Sequence, residues 1–207
     1  MKNNNLIRFV QSLVFLPVMT LSFTGNPTAN LKNTEIPQNA LVQKMNIETF
    51  KTLALNQAKD EEVETQKAKA EAIDAYFRER DMPMAGTGMK MVLEAEKNGL
   101  DWRLLPAIAV RESTGGKFQC KKVPYSPFGW GSCKISFESY DHAIEVVAKN
   151  LGGNNPKTAH HYDEKTVTQI LRAYNPPSIV PKYAEQVISI MDAIGEKDTE
   201  IILATNT

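Results

Sequence analysis

A chain of 207 residues is long enough for one domain with a buried core and additional segments at its ends. Its 24 basic residues balance its 24 acidic residues, so the charge pattern supports neither nucleic acid nor another polyanion as a partner. The hydrophobic fraction of 42% and the charged fraction of 23% are ordinary for a globular protein, and no low-complexity block dominates the chain.

The N-terminal segment, residues 1–29, has the pattern of an export signal. Lys2 and Arg8 are followed by an apolar run over residues 9–23, and no acidic residue occurs before Glu35. This run is shorter than the about 20 residues that span a bilayer comfortably. We expect a cleaved signal peptide, with an uncleaved membrane anchor as the alternative. Both place the protein outside the cytoplasm, as a secreted, periplasmic or cell-surface protein.

The next two segments differ in their helical character. Residues 30–46 mix Asn, Thr, Pro and Lys without a period and predict a linker. Residues 47–80 predict a charged helix, because acidic residues precede basic ones at roughly helical spacing. Ile73, Tyr76 and Phe77 give the end of this helix an apolar edge. We interpret the helix as a stalk or an arm laid against the following domain.

The compact domain is predicted over residues 81–195, and residues 196–207 form a tail without a strong pattern. Residues 115–137 carry four glycines and two prolines and predict a loop, with at most a short hairpin. The expected fold class is therefore mainly α, or α+β if the hairpin forms. Apolar residues at three- and four-residue intervals, with their caps, predict helices that begin near Gly88, Asp101, Tyr140, Thr166 and Pro181.

The two cysteines, Cys120 and Cys133, flank a loop rich in proline and glycine. In an oxidising compartment the expected outcome is one disulfide that closes this loop, which stabilises the fold by on the order of 3 kcal/mol. A metal site would need two more ligands, and no CxxC or HxxxH pattern supplies them. Neither a metal nor another cofactor is therefore expected.

The most informative residue is Glu112, which lies in the last turn of a predicted apolar helix, directly before a glycine turn. A carboxyl group in that position is held among hydrophobic neighbours and near the negative end of the helix dipole. Both effects disfavour its ionised form. A glutamic acid that stays protonated near neutral pH acts as a general acid, so we expect Glu112 to be catalytic.

Four segments in chain order resemble motifs of the soluble lytic transglycosylases, which belong to the lysozyme-like superfamily. Glu112-Ser113 resembles their Glu-Ser motif, and residues 126–132 occupy the place of the Gly-rich loop that lines their sugar groove. Residues 172–177 resemble their Ala-Tyr-Asn-Ala-Gly motif, and the segment from Tyr183 resembles the Tyr-containing last helix. The resemblance implies a lysozyme-like helical bundle around a substrate groove.

The resemblance covers residues 85–195 and implies cleavage of peptidoglycan glycan strands with Glu112 as the single catalytic carboxyl group. In that family the acid then acts as a base on the muramyl C6 hydroxyl and leaves an anhydro end. Phe128-Gly129 and the helix from Ala143 also resemble bacterial endo-β-N-acetylglucosaminidase domains. A hydrolytic glucosaminidase or muramidase of the same fold is therefore one alternative. A non-catalytic wall-binding module is the alternative from another class.

Sugar rings pack on flat apolar walls and need polar partners for their hydroxyl and N-acetyl groups. A tyrosine hydroxyl beside the carboxyl group is expected to orient it, while Tyr183 itself is interpreted as a core residue. A second carboxylate is not evident, because Asp141, Asp163 and Glu164 all lack a comparably apolar setting. The expected substrate-binding residues are Ser113, Phe128, Gly129, Trp130, Tyr140, Tyr162, Tyr174 and Asn175.

Overall fold

The fold is described from a computed structural model, which gives the backbone of residues 38–205 and the side chains of residues 47–201 and 203. The predictions for residues 1–29 lie outside this range, and no described helix is long and apolar enough to cross a bilayer. Residues 38–205 contain helices and no strand, which confirms the mainly α prediction and makes the 115–137 segment a loop. The helices are α1 (Gln38–Arg78), α2 (Gly88–Lys97), α3 (Leu104–Ser113), α4 (Tyr140–Leu151), α5 (Ala159–Tyr162), α6 (Val167–Tyr174) and α7 (Tyr183–Thr205).

Helix α1 begins at Gln38, inside the segment 30–46 that is predicted above as a linker. That prediction is wrong from Gln38 onward, because no proline or glycine follows Pro37 within the helix to stop it. The chain divides into two compact units, Met1–Asn46 and Ile47–Thr207. The core and the candidate site described below belong to the second unit.

Within the second unit, only the C-terminal part of α1 enters the core. Ala70, Ile73 and Phe77 are buried, whereas residues 47–65 are exposed. The apolar edge recognised in the sequence therefore packs into the domain. The structure places the start of the core earlier than residue 81, the boundary expected from the sequence.

Helix α3 forms the centre of the core, where it packs against α2, α4 and α7. Its residues Leu104, Leu105 and Ile108 are completely buried. The helix begins at Leu104, so Pro106 lies in the first turn, where its missing N–H costs no helical hydrogen bond. Glu112 therefore lies in the last turn, next to the end of the buried segment.

Helix α7 continues through Gly195 to Thr205, so residues 196–205, predicted as part of a tail, are helical. A glycine inside a helix costs only about 1 kcal/mol, and packing offsets a cost of this size. Met191 and Ile194 are buried before the glycine, and Lys197 pairs with Glu79 at 3.0 Å after it. The sequence pattern misses this extension because the ion pair between Lys197 and Glu79 joins residues far apart in the chain.

Candidate active site

The end of α3 is shaped by a left-handed turn that follows the carboxyl-bearing residue. Thr114, Gly115 and Gly116 all have positive φ angles, of 53°, 59° and 97°. A Cβ atom at Gly115 would lie 2.7 Å from the Met82 Cβ, so the turn packs too closely for a side chain there. The predicted glycine turn thus ends the helix directly after the Glu112-Ser113 pair.

The Glu112 side chain is partly buried, and its surroundings favour the protonated form. Burial raises the pKa of the Glu112 carboxyl group above its ordinary value. A hydrogen bond from Tyr183 and the positive charge of Arg111 act in the opposite direction and offset only part of this effect. The direction agrees with the expectation from the sequence.

Tyr183, the first residue of α7, holds the Glu112 carboxyl group in place. Its hydroxyl donates a hydrogen bond to Glu112 Oε1 at 2.6 Å. Burial and the neighbouring carboxyl group raise the pKa of Tyr183 far above its ordinary value, so the hydroxyl remains a donor. Tyr183 is only 2% exposed, which confirms its interpretation as a core residue, but that interpretation misses its contact with the site. The resemblance to a Tyr-containing last helix is the signal that points to it.

Gly129 lies against the other oxygen of the same carboxyl group. Its φ is 61°, and a Cβ atom built on it would lie 2.9 Å from Glu112 Oε2. A side chain at this position would press on the carboxyl group, whereas glycine leaves space beside Oε2. The two oxygens of Glu112 thus have different neighbours: a hydroxyl donor at Oε1 and a glycine backbone at Oε2.

Two residues predicted to bind substrate instead position the loop that carries Gly129. Ser113 is only 3% exposed, and its hydroxyl donates to the Pro127 carbonyl at 2.6 Å while it accepts from the Gly116 N–H at 2.9 Å. Phe128 is completely buried in the core. Its backbone carbonyl accepts a hydrogen bond from the Tyr174 hydroxyl. Ser113 and Phe128 therefore fix the loop, and neither is among the residues that line the cleft described next.

An aromatic cleft of about 340 Å³ opens next to this loop. The Trp130 ring lies 5.7 Å from the Tyr174 ring and 6.4 Å from the Tyr162 ring, measured between centroids. Tyr174 also stacks on Tyr183, with centroids 6.0 Å apart and an interplanar angle of 13°. The cleft is lined by Gly129, Trp130, Gly131, Ser132, Tyr162 and Tyr174.

Helices α5 and α6 bring two of these rings to the cleft, since each helix ends in a tyrosine. The predicted capping box at Thr166 opens α6, and Tyr174 is the last residue of that helix. The loop before α5 is fixed by the buried side chain of Asn150, whose Oδ1 accepts from Asn155 at 2.9 Å and from Thr158 at 2.6 Å. Polar contacts outside the cleft therefore fix its wall.

Tyr140 and Asn175, also expected in the substrate site, do not line the cleft. The Tyr140 hydroxyl accepts from Gln119 at 3.0 Å, and its ring packs edge-on against Tyr125, with centroids 5.3 Å apart. Asn175 is the C-cap of α6, and its backbone N–H donates to the Leu171 carbonyl at 3.0 Å. Both residues are partly exposed, and these contacts stabilise the structure around them.

The predicted disulfide between Cys120 and Cys133 is present, with a Cα–Cα distance of 5.8 Å. It joins the two ends of the loop that contains Gly129 and Trp130. Among the described residues, no group of three or more His, Cys, Asp or Glu side chains is arranged to hold a metal ion. The described lining of the cleft also contains no carboxylate.

Glu112, Tyr183 and Gly129 form one cluster, and Gly129 joins that cluster to the aromatic cleft. Of the predicted substrate-binding residues, Gly129, Trp130, Tyr162 and Tyr174 are brought together there. The arrangement can hold a flat, partly apolar ligand in a cleft that adjoins, through Gly129, a carboxyl group whose pKa is raised. Comparisons with protein-family models, with curated proteins and with solved structures give no match to this chain.

Proposed function

We propose that this chain is an enzyme that cleaves peptidoglycan glycan strands, with Glu112 as its single catalytic carboxyl group and a lysozyme-like domain around it. The observation that carries the proposal is the position of Glu112. Its partly buried carboxyl group is held by Tyr183 and lies against Gly129, which also lines the aromatic cleft. A carboxyl group with a raised pKa next to a cleft is a strong candidate for a general acid.

The first chemical step is protonation of the glycosidic oxygen by Glu112. Since Tyr183 donates to Oε1, the proton is delivered from Oε2, on the side of Gly129. The bond between the anomeric carbon and that oxygen breaks, and the sugar ring becomes oxocarbenium-like. The Tyr183 hydrogen bond then stabilises the carboxylate that is left behind.

The second step closes the sugar on itself. The Glu112 carboxylate accepts the proton of the muramyl C6 hydroxyl, whose oxygen forms a bond with the anomeric carbon. This restores the protonated acid and leaves a 1,6-anhydro end, so no water is consumed. Trp130, Tyr162 and Tyr174 supply flat walls on which the faces of the sugar rings pack during both steps.

The setting of the other carboxylates favours this route over hydrolysis. Hydrolytic glycosidases commonly use a second carboxylate roughly 5–9.5 Å from the acid. The candidates for that role, Asp141, Asp163 and Glu164, are all exposed. Hydrolysis by a glucosaminidase or muramidase of the same fold remains the alternative enzyme, and a wall-binding module without turnover remains the alternative from another class.

The proposed substrate lies outside the cytoplasm, which fits the export pattern of residues 1–29. We therefore propose a secreted, periplasmic or cell-surface protein, with residues 9–23 as a membrane tether if the signal is not cleaved. The disulfide between Cys120 and Cys133 is compatible with an oxidising compartment.

The proposal is tested by mass spectrometry of purified peptidoglycan digested with the full chain. The variant is Glu112→Gln, and the matched control is Glu138→Gln, which changes an exposed glutamate in the loop before α4. Anhydromuramyl ends released by the wild type and by the control, but not by Glu112→Gln, would support the proposal. New reducing ends would identify a hydrolase, and the sugar that carries them would distinguish glucosaminidase from muramidase. Binding to peptidoglycan without release of any product would favour the wall-binding module.

A further inference from the structure

A second cavity, of about 270 Å³, lies between α2 and α4 and shares no lining residue with the aromatic cleft. Every residue in its lining is charged or carries a side-chain amide. The six residues are Glu94, Lys97, Asn98, Glu145, Lys149 and Asn154. The cavity thus presents two carboxylates, two ammonium groups and two amides within a small volume.

Glu94 provides a fixed negative charge in the wall of this cavity. Its side chain is 8% exposed and lies 3.0 Å from the Lys90 ammonium and 3.2 Å from that of Lys97. Burial disfavours the ionised form, but the hydrogen bonds and the positive charges of Lys90 and Lys97 together outweigh it, and the pKa of Glu94 lies below its ordinary value. The carboxylate is therefore ionised, and its position is set by the protein.

Three other groups in the lining can still pair with or hydrogen-bond to a ligand. The exposed Lys149 ammonium forms no ion pair or hydrogen bond with another described residue. The Glu145 carboxylate is 53% exposed and has only a long contact, 3.8 Å, with Lys90. The Asn154 amide donates to Asn98 Oδ1 at 2.9 Å, which leaves its own carbonyl oxygen as an acceptor.

We propose that this cavity binds the end of a peptide that carries both a carboxylate and an ammonium group, and so is zwitterionic. The ligand carboxylate pairs with Lys149 and Lys97, and the ligand ammonium pairs with Glu145 and the Asn154 carbonyl oxygen. A simple anion would pair with Lys149 and leave Glu145 without a partner of its own, and a simple cation would do the reverse, whereas a zwitterion matches both signs at once. The volume lies just below the roughly 300 Å³ at which pockets for drug-sized ligands begin, which suits one or two amino-acid residues.

Peptidoglycan carries such ligands, because its stem peptides end in a carboxylate and keep a free ammonium group where they are not cross-linked. This choice of ligand rests on the function proposed above.

Residues 154–162 connect the two sites, because Asn154 lines the second cavity and Tyr162 lines the aromatic cleft. The residues on either side of this segment, Gly153 and Asp163, lie close together: a Cβ atom on Gly153 would lie 2.8 Å from the Asp163 Cα. A bound stem peptide and a bound glycan would therefore contact opposite ends of the segment 154–162.

The test uses the full chain, because a peptide probe contains no glycosidic bond that the chain could cleave. The probe is N-acetyl-L-Ala-D-isoglutaminyl-L-Lys-D-Ala, whose only charged groups are the ε-ammonium of its lysine and its C-terminal carboxylate. Its binding is followed by NMR of the Asn98 and Asn154 side-chain amides. We expect these amide signals to shift on titration, and we expect Lys149→Gln and Glu145→Gln each to weaken binding roughly tenfold. Both positions are exposed, so the variants are expected to fold. The matched controls, Lys59→Gln and Glu62→Gln, change exposed charges on α1.

Two chemical variants of the probe separate a zwitterion site from simple ion binding. Acetylation of the ε-amine removes the positive charge, and amidation of the C-terminus removes the negative one. Loss of binding with either change would support the proposal. Equal binding of the native and blocked peptides, or the absence of amide shifts, would overturn it, even if glycan cleavage were established. Conversely, peptide binding by a protein that releases no glycan product would contradict only the proposed function.

Discussion

The Glu112 carboxyl group is held by two neighbours that act in different ways. Tyr183 donates to Oε1 at 2.6 Å and stabilises the ionised form, while Gly129 contributes only the absence of a side chain next to Oε2. Tyr183 therefore affects both the protonation and the position of the carboxyl group, whereas Gly129 affects only the space that is available to it. Two substitutions separate these contributions.

Tyr183→Phe removes the donor and is expected to change the pH profile. Without this hydrogen bond, only the positive charge of Arg111 opposes the effect of burial, so the pKa of Glu112 rises further. Glu112 then stays protonated to higher pH, and the alkaline limb of the activity profile shifts to higher pH. The rate at the optimum falls roughly tenfold, because the carboxylate loses a charge-assisted hydrogen bond.

The measurement is the release of soluble fragments from peptidoglycan as a function of pH. Tyr140→Phe is the matched control, since the Tyr140 hydroxyl bonds to Gln119 and does not line the cleft. An alkaline limb that stays in place in Tyr183→Phe would contradict the assignment of Glu112 as the acid oriented by Tyr183.

Gly129→Ala is expected to lose activity, while its loss of stability is similar to that of a control substitution at another glycine with a positive φ. The new methyl group would lie 2.9 Å from Glu112 Oε2 and displace the carboxyl group, and displacements of this kind cost about 100-fold in rate. The positive φ adds a stability cost of about 1–2 kcal/mol. Gly99→Ala is the control, because Gly99 has a φ of 67° and no atom lies within 4 Å of the place that its new methyl group would take. Thermal denaturation should show similar losses for both variants, and only Gly129→Ala should lose activity; equal activity would rule out the proposed contact.

At the scale of the helices, α1 combines an exposed part and a part that belongs to the core. Ala70, Ile73 and Phe77 pack into the domain, while Phe50 and Leu53 lie exposed on the same helix. The sequence predicts the helix and the apolar edge at its end. It does not predict where the core begins, because an apolar edge has the same pattern whether it packs against its own domain or against a partner.

Phe77→Ala tests the place of α1 in the core. The Phe77 side chain is 0% exposed, so its removal leaves a cavity and should lower the free energy of unfolding by about 3–5 kcal/mol. The control is Phe50→Ala, since Phe50 is 72% exposed and its removal should change stability by less than about 0.5 kcal/mol. Denaturant unfolding of the full chain gives both values. Equal stability of the two variants would show that α1 does not contribute to the core.

At the scale of the whole molecule, local signals in the sequence predict more of the fold than of the site. The capping box at Thr166, the disulfide and the carboxyl group at the end of α3 depend on short-range patterns, and all three are present in the structure. The roles of Ser113 and Phe128 depend on where the loop after the glycine turn packs. Their polar and aromatic character fits a sugar groove equally well, so only the tertiary contacts distinguish positioning from binding.

The hydrogen bond between Tyr183 and Glu112 has a stereochemical consequence for the proposed reaction. Because Oε1 is engaged, the same atom, Oε2, both delivers the proton to the leaving group and recovers the proton of the incoming hydroxyl. The nucleophile must therefore approach the anomeric carbon from the face that the leaving group has just vacated. Glu112 would thereby dictate retention of the anomeric configuration, with the two halves of the reaction carried out on one side of the sugar ring.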